Sequence, residues 1–185
     1  MNILAFAGSL RKASLNKALL RAASNLSPDG MSIEIFDLEG IPLFNADLES
    51  DNEPDRIAKF KDAIRQADGI LIASPEYNHG MTGVTKNAVD WGSRPAGDPP
   101  LAGKPVGVLG ASPGVTGTAR SQDQLRQCLK ALNSRVMPAP ELLVFRAKEK
   151  FDKDRNLTDE KTLTRLKKYL GALTDWIEHW QTGSQ

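Results

Sequence analysis

Residues 8–16 combine side chains that suit an anionic ligand within this chain of 185 residues. Serine hydroxyls, an asparagine amide and the guanidinium of Arg11 occur together there, and Gly8 allows a sharp turn. A helix predicted to begin just after them would point free N–H groups and its positive dipole end at the same place. Arginine offers a planar fork of donors that matches a phosphate. The expected phosphate-binding residues are Ser9, Arg11, Ser14 and Asn16.

The spacing within this first segment indicates the kind of phosphate. It has neither the G-x-x-x-x-G-K-[ST] pattern of nucleoside triphosphatases nor the G-x-G-x-x-G pattern of dinucleotide-binding folds. We therefore expect a single phosphate rather than a pyrophosphate. The alternative is an ordinary turn, rich in serine and asparagine, that caps a helix.

Two further segments have compositions typical of ligand-binding loops. Residues 75–80 begin with Pro75, whose ring stiffens the backbone, so its N–H and C=O groups can lie along the edge of a flat heterocycle. Tyr77 would add an aromatic wall; the alternative is a tight turn with a surface tyrosine. Residues 110–114 are small, which lets a ligand ring approach the backbone.

The third segment also matches the G-x-S-x-G pattern of the hydrolase nucleophile elbow, with Ser112 as the serine. Asp175 and His179 follow in the chain order that such a triad needs. However, the oxyanion hole requires the N–H of the residue after the serine, and Pro113 has none. His179 lies about 200° around a helix from Ile177, away from its apolar stripe. The hydrolase interpretation is therefore rejected, and no catalytic side chain is assigned.

Each of the three segments directly follows a continuous apolar run, as expected of strands buried on both faces. Amphipathic stretches alternate with these runs, which predicts a parallel sheet with helices on both faces. In a five-stranded sheet of order 2-1-3-4-5, ligands bind at the carboxyl ends between strands 1 and 3.

The charged stretch 146–155 is interpreted as a solvated connection. The predicted strands cover residues 3–7, 32–36, 70–73, 106–109 and 142–145. The clearest helix has its apolar stripe at residues 163–180. Thr158 is its predicted cap, and Asp159 and Glu160 suit its positive end.

Composition restricts the function classes. The net charge is +1, from 24 Lys+Arg against 23 Asp+Glu, which argues against nucleic acid as a partner. One cysteine and two histidines argue against a zinc site, and no metal ligands are predicted. No apolar run reaches the ~20 residues of a membrane span. The start of the chain lacks the basic region of a signal peptide, so we expect a cytoplasmic protein. Residues 1–185 are expected to form one domain.

The motifs in these segments resemble the NADPH-dependent FMN reductase family, which has a flavodoxin-like fold. The resemblance is greatest to the branch of quinone, chromate and azo-dye reductases. Thr85 stands where the family usually has leucine. The matching segments are Gly8–Arg11 with Ser14 and Asn16, Pro75–Asn78, Lys86–Trp91, Gly117–Arg120 and Leu125–Gln127.

The resemblance implies a three-layer flavodoxin-like domain that binds FMN. It places the FMN phosphate at the first segment, including Leu15, and the flavin ring and ribityl chain at the second. The third segment approaches the flavin through Ser112 and its neighbours, including Gly114. Family members are dimers or tetramers, so a homodimer or homotetramer is expected. The implied ring and ribityl contacts are Pro75, Glu76, Tyr77 and Asn78.

The resemblance implies an oxidoreductase that works by a ping-pong cycle. NADPH or NADH delivers a hydride to FMN and the nicotinamide leaves. A small acceptor then takes its place and receives two electrons. Quinones, flavins, azo dyes and chromate all suit such an exposed flavin. Two alternatives stay open: a flavodoxin-type electron carrier and a redox-sensing flavoprotein. Carriers of that type are usually strongly acidic, which the balanced charge of this chain does not match.

Overall fold

A parallel β-sheet forms the middle layer of the protein, whose computed structural model describes residues 1–49 and 53–182. The strands are β1 Asn2–Ala7, β2 Ser32–Phe36, β3 Gly69–Ala73, β4 Glu76–Tyr77, β5 Gly80–Met81, β6 Pro105–Ala111, β7 Arg135–Val136 and β8 Leu142–Val144. The helices are α1 Leu15–Asn25, α2 Asp55–Gln66, α3 Gly83–Gly92, α4 Ala119–Ala131 and α5 Glu160–Thr182. Short 3-10 turns cover Ala46–Leu48 and Ala147–Glu149.

The strand order confirms the predicted 2-1-3-4-5 arrangement. The sheet runs β2-β1-β3-β6, and both β7 and β8 pair with β6, each in parallel. Ala7 of β1 lies beside Ala73 of β3, and Ala73 lies beside Leu109 of β6. The carboxyl ends of the three central strands therefore reach the same edge of the sheet, where the segments that follow them must meet.

Two hydrophobic cores, one on each face of the sheet, make this a three-layer fold. On β1 the side chains alternate, so Ile3 and Ala5 enter one core while Leu4 and Phe6 enter the other. Helices α1 and α5 cover the first face, and α2, α3 and α4 cover the second. The continuous apolar runs of the sequence correspond to strands buried on both sides.

The fifth strand of the prediction is divided into two short strands. Leu142–Val144 pairs with the end of β6, whereas Arg135–Val136, which the sequence did not indicate, pairs with its beginning. Pro138 and Pro140 lie between them. Because proline has no N–H to donate to a ladder, this segment does not continue the strand.

Helix α5 begins three residues earlier than its apolar stripe, and the prediction of Thr158 as its cap is wrong. Asp159 Oδ2 accepts hydrogen bonds from Thr162 N at 2.9 Å and from the Thr162 hydroxyl at 2.6 Å. Thr158 N donates instead to Lys150 O at 2.9 Å. Across the described ranges, no helix has the length and apolarity needed to cross a membrane.

Candidate functional site

The three loops after β1, β3 and β6 converge on one cleft at the carboxyl edge of the sheet. Nine of the eleven residues predicted for the site line it; the other two, Asn78 and Gly114, lie outside its lining. The lining residues from the prediction are Ser9, Arg11, Ser14, Leu15, Asn16, Pro75, Glu76, Tyr77 and Ser112. The sheet therefore assembles the predicted loops where its switch point requires them.

The first loop ends in the capped start of α1. Ser14 Oγ accepts hydrogen bonds from Asn16 N at 3.2 Å and from Lys17 N at 3.3 Å, which makes Ser14 the N-cap. Ser9 Oγ accepts a weak bond from Arg11 N at 3.4 Å. The Arg11 side chain is exposed beside these groups and lines the cleft. The loop, the helix start and Arg11 thus border one cleft, the combination that an anion site requires.

Gly8 is required by a close approach rather than by an unusual backbone angle. A Cβ at this position would lie 1.8 Å from Thr85 Oγ1. Thr82 Oγ1 donates to Gly8 O at 2.7 Å and lies 2.9 Å from Thr85 Oγ1. The start of α3 therefore supports the first loop from beneath, and Thr85 uses its hydroxyl where a leucine side chain would have none.

Asn16 connects the first loop to the third. Its Nδ2 donates to Ala111 O at 2.9 Å, and its Oδ1 accepts from Ala111 N at 2.9 Å. Asn16 is 4% exposed, so both bonds are shielded from water. The amide that the sequence suggested as a ligand donor is committed to aligning α1 with the end of β6.

The second loop is a β-hairpin, which the sequence did not indicate. Glu76 pairs with Met81 and Tyr77 with Gly80, and the two residues between them are Asn78 and His79. Their φ values are 51° and 64°, the positive pair that a type I′ turn needs. Tyr77 is 52% exposed, so its ring is available as a wall of the cleft.

The carboxylate of Glu76 faces helix α4 rather than the cleft opening. Its Oε2 accepts from Arg120 N at 3.0 Å, and its Oε1 accepts from the Arg120 guanidinium at 3.3 Å. Thr118, the residue before α4, has a φ of 77° and caps nothing with its side chain. Glu76 therefore supplies the negative charge at this helix start and ties the hairpin to α4.

The third loop has the G-x-S-x-G pattern without the surroundings of a hydrolase. Ser112 Oγ accepts from Gly114 N at 3.1 Å, and Ser112 N donates to Val144 O at 2.9 Å. His179 stacks on Trp176, whose Nε1 donates to Arg135 O at 2.8 Å, at the amino end of β7. His179 thus lies near the opposite edge of the sheet from Ser112. The pattern cannot assemble a triad.

Two basic residues of the segment interpreted as a solvated connection also line the cleft. They are Lys148 and Arg155. Together with Arg11 they place three cations around one cleft, and within the described part of the chain none of the three side chains forms an ion pair. The sequence did not predict that Lys148 and Arg155 meet Arg11 at one cleft, because they lie far from the first loop along the chain.

Comparison with known proteins identifies the family. The family model "NADPH-dependent FMN reductase" matches residues 1–149. An NAD(P)H-dependent FMN reductase of Pseudomonas aeruginosa is 44% identical over 177 residues, covering 96% of this chain and 95% of that protein. A 2-hydroxy-1,4-benzoquinone reductase of a Burkholderia species is 38% identical, with 96% of each chain covered.

A solved structure supports the same family assignment. The flavoenzyme FerB, an NAD(P)H:(acceptor) oxidoreductase from Paracoccus denitrificans, superimposes with a TM-score of 0.88 at 36% identity. The match covers 96% of this chain and 97% of that one. With the family model spanning the sheet and all three cleft loops, this chain belongs to the NADPH-dependent FMN reductase family.

Proposed function

We propose that this protein is an FMN-dependent NAD(P)H oxidoreductase that passes two electrons to quinones, flavins or other small acceptors such as azo dyes and chromate. The observation that carries the proposal is the single cleft formed by loops whose motifs match the family. The relatives named above act as FMN and quinone reductases, which supports the same chemistry here.

The residues around the cleft fit FMN. Three cations that form no ion pair with any described residue suit a phosphate, which carries between one and two negative charges at neutral pH. The capped start of α1 adds a positive dipole end. Pro75 and Tyr77 supply a stiff backbone and an aromatic wall for a flat ring system. The donor set therefore matches both ends of a flavin mononucleotide.

We assign the cleft residues to the parts of the cofactor. Ser9, Arg11, Ser14 and the start of α1 at Leu15 hold the phosphate. Asn16 positions the third loop through Ala111 and so acts beside them. The backbone of the hairpin, from Pro75 through Glu76 and Tyr77 to Asn78, lies along the ring and ribityl chain. Ser112 and Gly114 form the side contributed by the third loop.

When bound, FMN supplies hydride acceptance from NADPH or NADH and electron transfer to the acceptor. The chain's own residues bind and orient the cofactor and leave one face open to exchange donor for acceptor. No side chain is assigned as a nucleophile or general acid. Both NADPH and NADH are assigned as hydride donors, in accord with relatives named for NAD(P)H.

The competing function is a flavodoxin-type electron carrier or a redox-sensing flavoprotein. A carrier requires a separate reductase, whereas the proposed enzyme oxidises NAD(P)H by itself. Steady-state oxidation of NADPH and NADH with a benzoquinone and no other protein therefore tests the proposal. Turnover that rises with quinone concentration supports it. Absence of turnover by flavin-loaded protein would favour the carrier or sensor.

We further propose that residues 1–185 form one FMN-binding domain that works in the cytoplasm as a homodimer or homotetramer. Large apolar side chains are exposed in the loops at the cleft edge of the sheet, which supports a partner subunit at that edge. They are Leu10, Tyr77, Val115 and Phe145. Light scattering over a range of protein concentrations measures the oligomeric state. A monomer at all concentrations would overturn this part of the proposal.

A further inference from the structure

The loop between Phe151 and Leu157 is built to hold one basic side chain at the cleft. Phe151 and Leu157 form an antiparallel bridge and are 7% and 8% exposed, so the base of the loop is fixed in the core. Asp152 N donates to Asn156 O at 2.9 Å, and Arg155 N donates to Asp152 O at 3.1 Å. The loop therefore has a defined shape with Arg155 near its end.

Asp152, one of the two acidic residues of this loop, uses its carboxylate to hold the loop together. Asp152 Oδ1 accepts from Asp154 N at 2.9 Å and from Asn156 N at 2.8 Å. Its Oδ2 accepts from Asn156 Nδ2 at 3.0 Å. These bonds from Asn156 hold the pKa of the Asp152 carboxyl below its usual range. The carboxylate shapes the turn and forms no ion pair with Arg155 among the described residues.

The backbone of Arg155 adopts a conformation that arginine rarely takes. Its φ is 64°, in the left-handed region that favours glycine. A non-glycine residue persists there only where its surroundings impose it. The hydrogen bonds around Asp152 hold the turn here, and Arg155, a half-buried residue, lines the cleft with Arg11.

A second anchor joins the same segment to the third loop. Arg146 N donates to Gly114 O at 2.8 Å, and Ala147 N donates to Ser112 O at 2.9 Å. Lys148 follows directly and lines the cleft as well. The segment is thus bonded to the third loop at residues 146–147 and fixed in the core at Phe151 and Leu157.

We propose that Arg155, together with Lys148, binds the FMN phosphate in this cleft in addition to the first loop. The inference rests on the proposed function and extends it to residues of the C-terminal segment. Arg155 lies beyond residue 149, where the family match ends. The phosphate would then be neutralised by cations from two separate parts of the chain, a charge-assisted arrangement stronger than neutral hydrogen bonds.

The test compares FMN with riboflavin, which has no phosphate, by fluorescence titration of flavin-free protein. The expected loss of FMN affinity in Arg155→Ala is roughly 10- to 100-fold, because a hydrogen bond to a charged group is removed, while riboflavin affinity stays unchanged. Lys153→Ala is the matched control: it removes one exposed charge from the same loop outside the cleft lining, and should change neither affinity.

Arg155→Gly separates the charge from the backbone. Glycine adopts the positive φ freely, so the turn is kept while the cation is lost. We expect the same loss of FMN affinity as in Arg155→Ala. Wild-type FMN affinity in Arg155→Gly would show that the backbone alone mattered and would overturn the inference.

Three other outcomes also overturn it. Equal losses for FMN and riboflavin would make the role structural. Unchanged FMN affinity in Arg155→Ala would mean that the side chain does not contact the phosphate and serves instead the neighbouring groove lined by Arg21, Ile35 and Leu163, which Arg155 also borders. Unchanged FMN affinity with a raised KM for NADPH but not for NADH would assign it to the nucleotide's 2′-phosphate. If the wild-type protein binds neither FMN nor riboflavin, the proposed function itself is overturned. The titration of wild-type protein shows this before any variant is made.

Discussion

At the scale of single residues, polar side chains at the cleft divide into those that remain available and those already used by the protein. The Arg11 side chain forms no ion pair or hydrogen bond with any described residue. By contrast, the Asn16 amide is hydrogen-bonded to Ala111, and the Glu76 carboxylate accepts hydrogen bonds from Arg120 of α4. Sequence patterns indicate which residue types meet at a site. They do not indicate which of them the fold uses for its own alignment, because those bonds join residues 95 and 44 positions apart.

Arg11→Ala should weaken FMN binding by about 1.5–3 kcal/mol, the range for hydrogen bonds to charged groups. Riboflavin binding should be unaffected, since the lost partner is the phosphate. Flavin fluorescence titration measures both. Lys12→Ala is the control, an exposed neighbouring cation outside the cleft lining. Flavin retention equal to wild type after dialysis would contradict the assignment of Arg11.

Asn16→Ala should lower the free energy of unfolding by about 1–3 kcal/mol, because the buried N–H and C=O of Ala111 lose their partners. Urea denaturation measures the change. Asn25→Ala, at the exposed end of the same helix, should stay within about 0.5 kcal/mol of wild type. Equal stability of the two variants would show that the pairing with Ala111 contributes nothing.

At the scale of elements, the hairpin of β4 and β5 is the part of the site that could not be predicted from the sequence. The Asn78–His79 pair lacks the glycine that marks a type I′ turn, and its strands have two residues each. Buried strands and amphipathic helices were predictable because apolar periodicity is local. The hairpin depends on Gln124 of α4, whose Oε1 accepts from Met81 N at 3.0 Å.

His79→Gly should raise the free energy of unfolding by about 0.5–1 kcal/mol, since glycine removes the cost of a positive φ at that position. His79→Ala keeps that cost and should bring no gain. The midpoint of urea unfolding distinguishes the two. FMN affinity should not change, because His79 is exposed and lies outside the cleft lining. A destabilised His79→Gly protein would mean that the imidazole itself contributes to the hairpin.

At the scale of the whole molecule, topology brings distant segments to one edge. A parallel sheet covered by helices was predictable from the alternation of strands and helices, and the order β2-β1-β3-β6 followed from the flavodoxin-like resemblance. This order places the loops after β1, β3 and β6 together. Lys148 and Arg155 reach the same cleft through a charged connection with no periodicity, so nothing local marked them. The balanced charge of +1 belongs to this scale too, since it favours an enzyme over an acidic carrier.

The most direct test of the account is the absorption spectrum of the protein loaded with FMN, recorded without oxygen. Because the proposed enzyme takes a hydride from the nicotinamide by itself, adding NADPH or NADH should bleach the flavin band. Adding a benzoquinone should then restore it. A protein that binds no FMN, or whose flavin band is unchanged by both nicotinamides, would contradict the central claim.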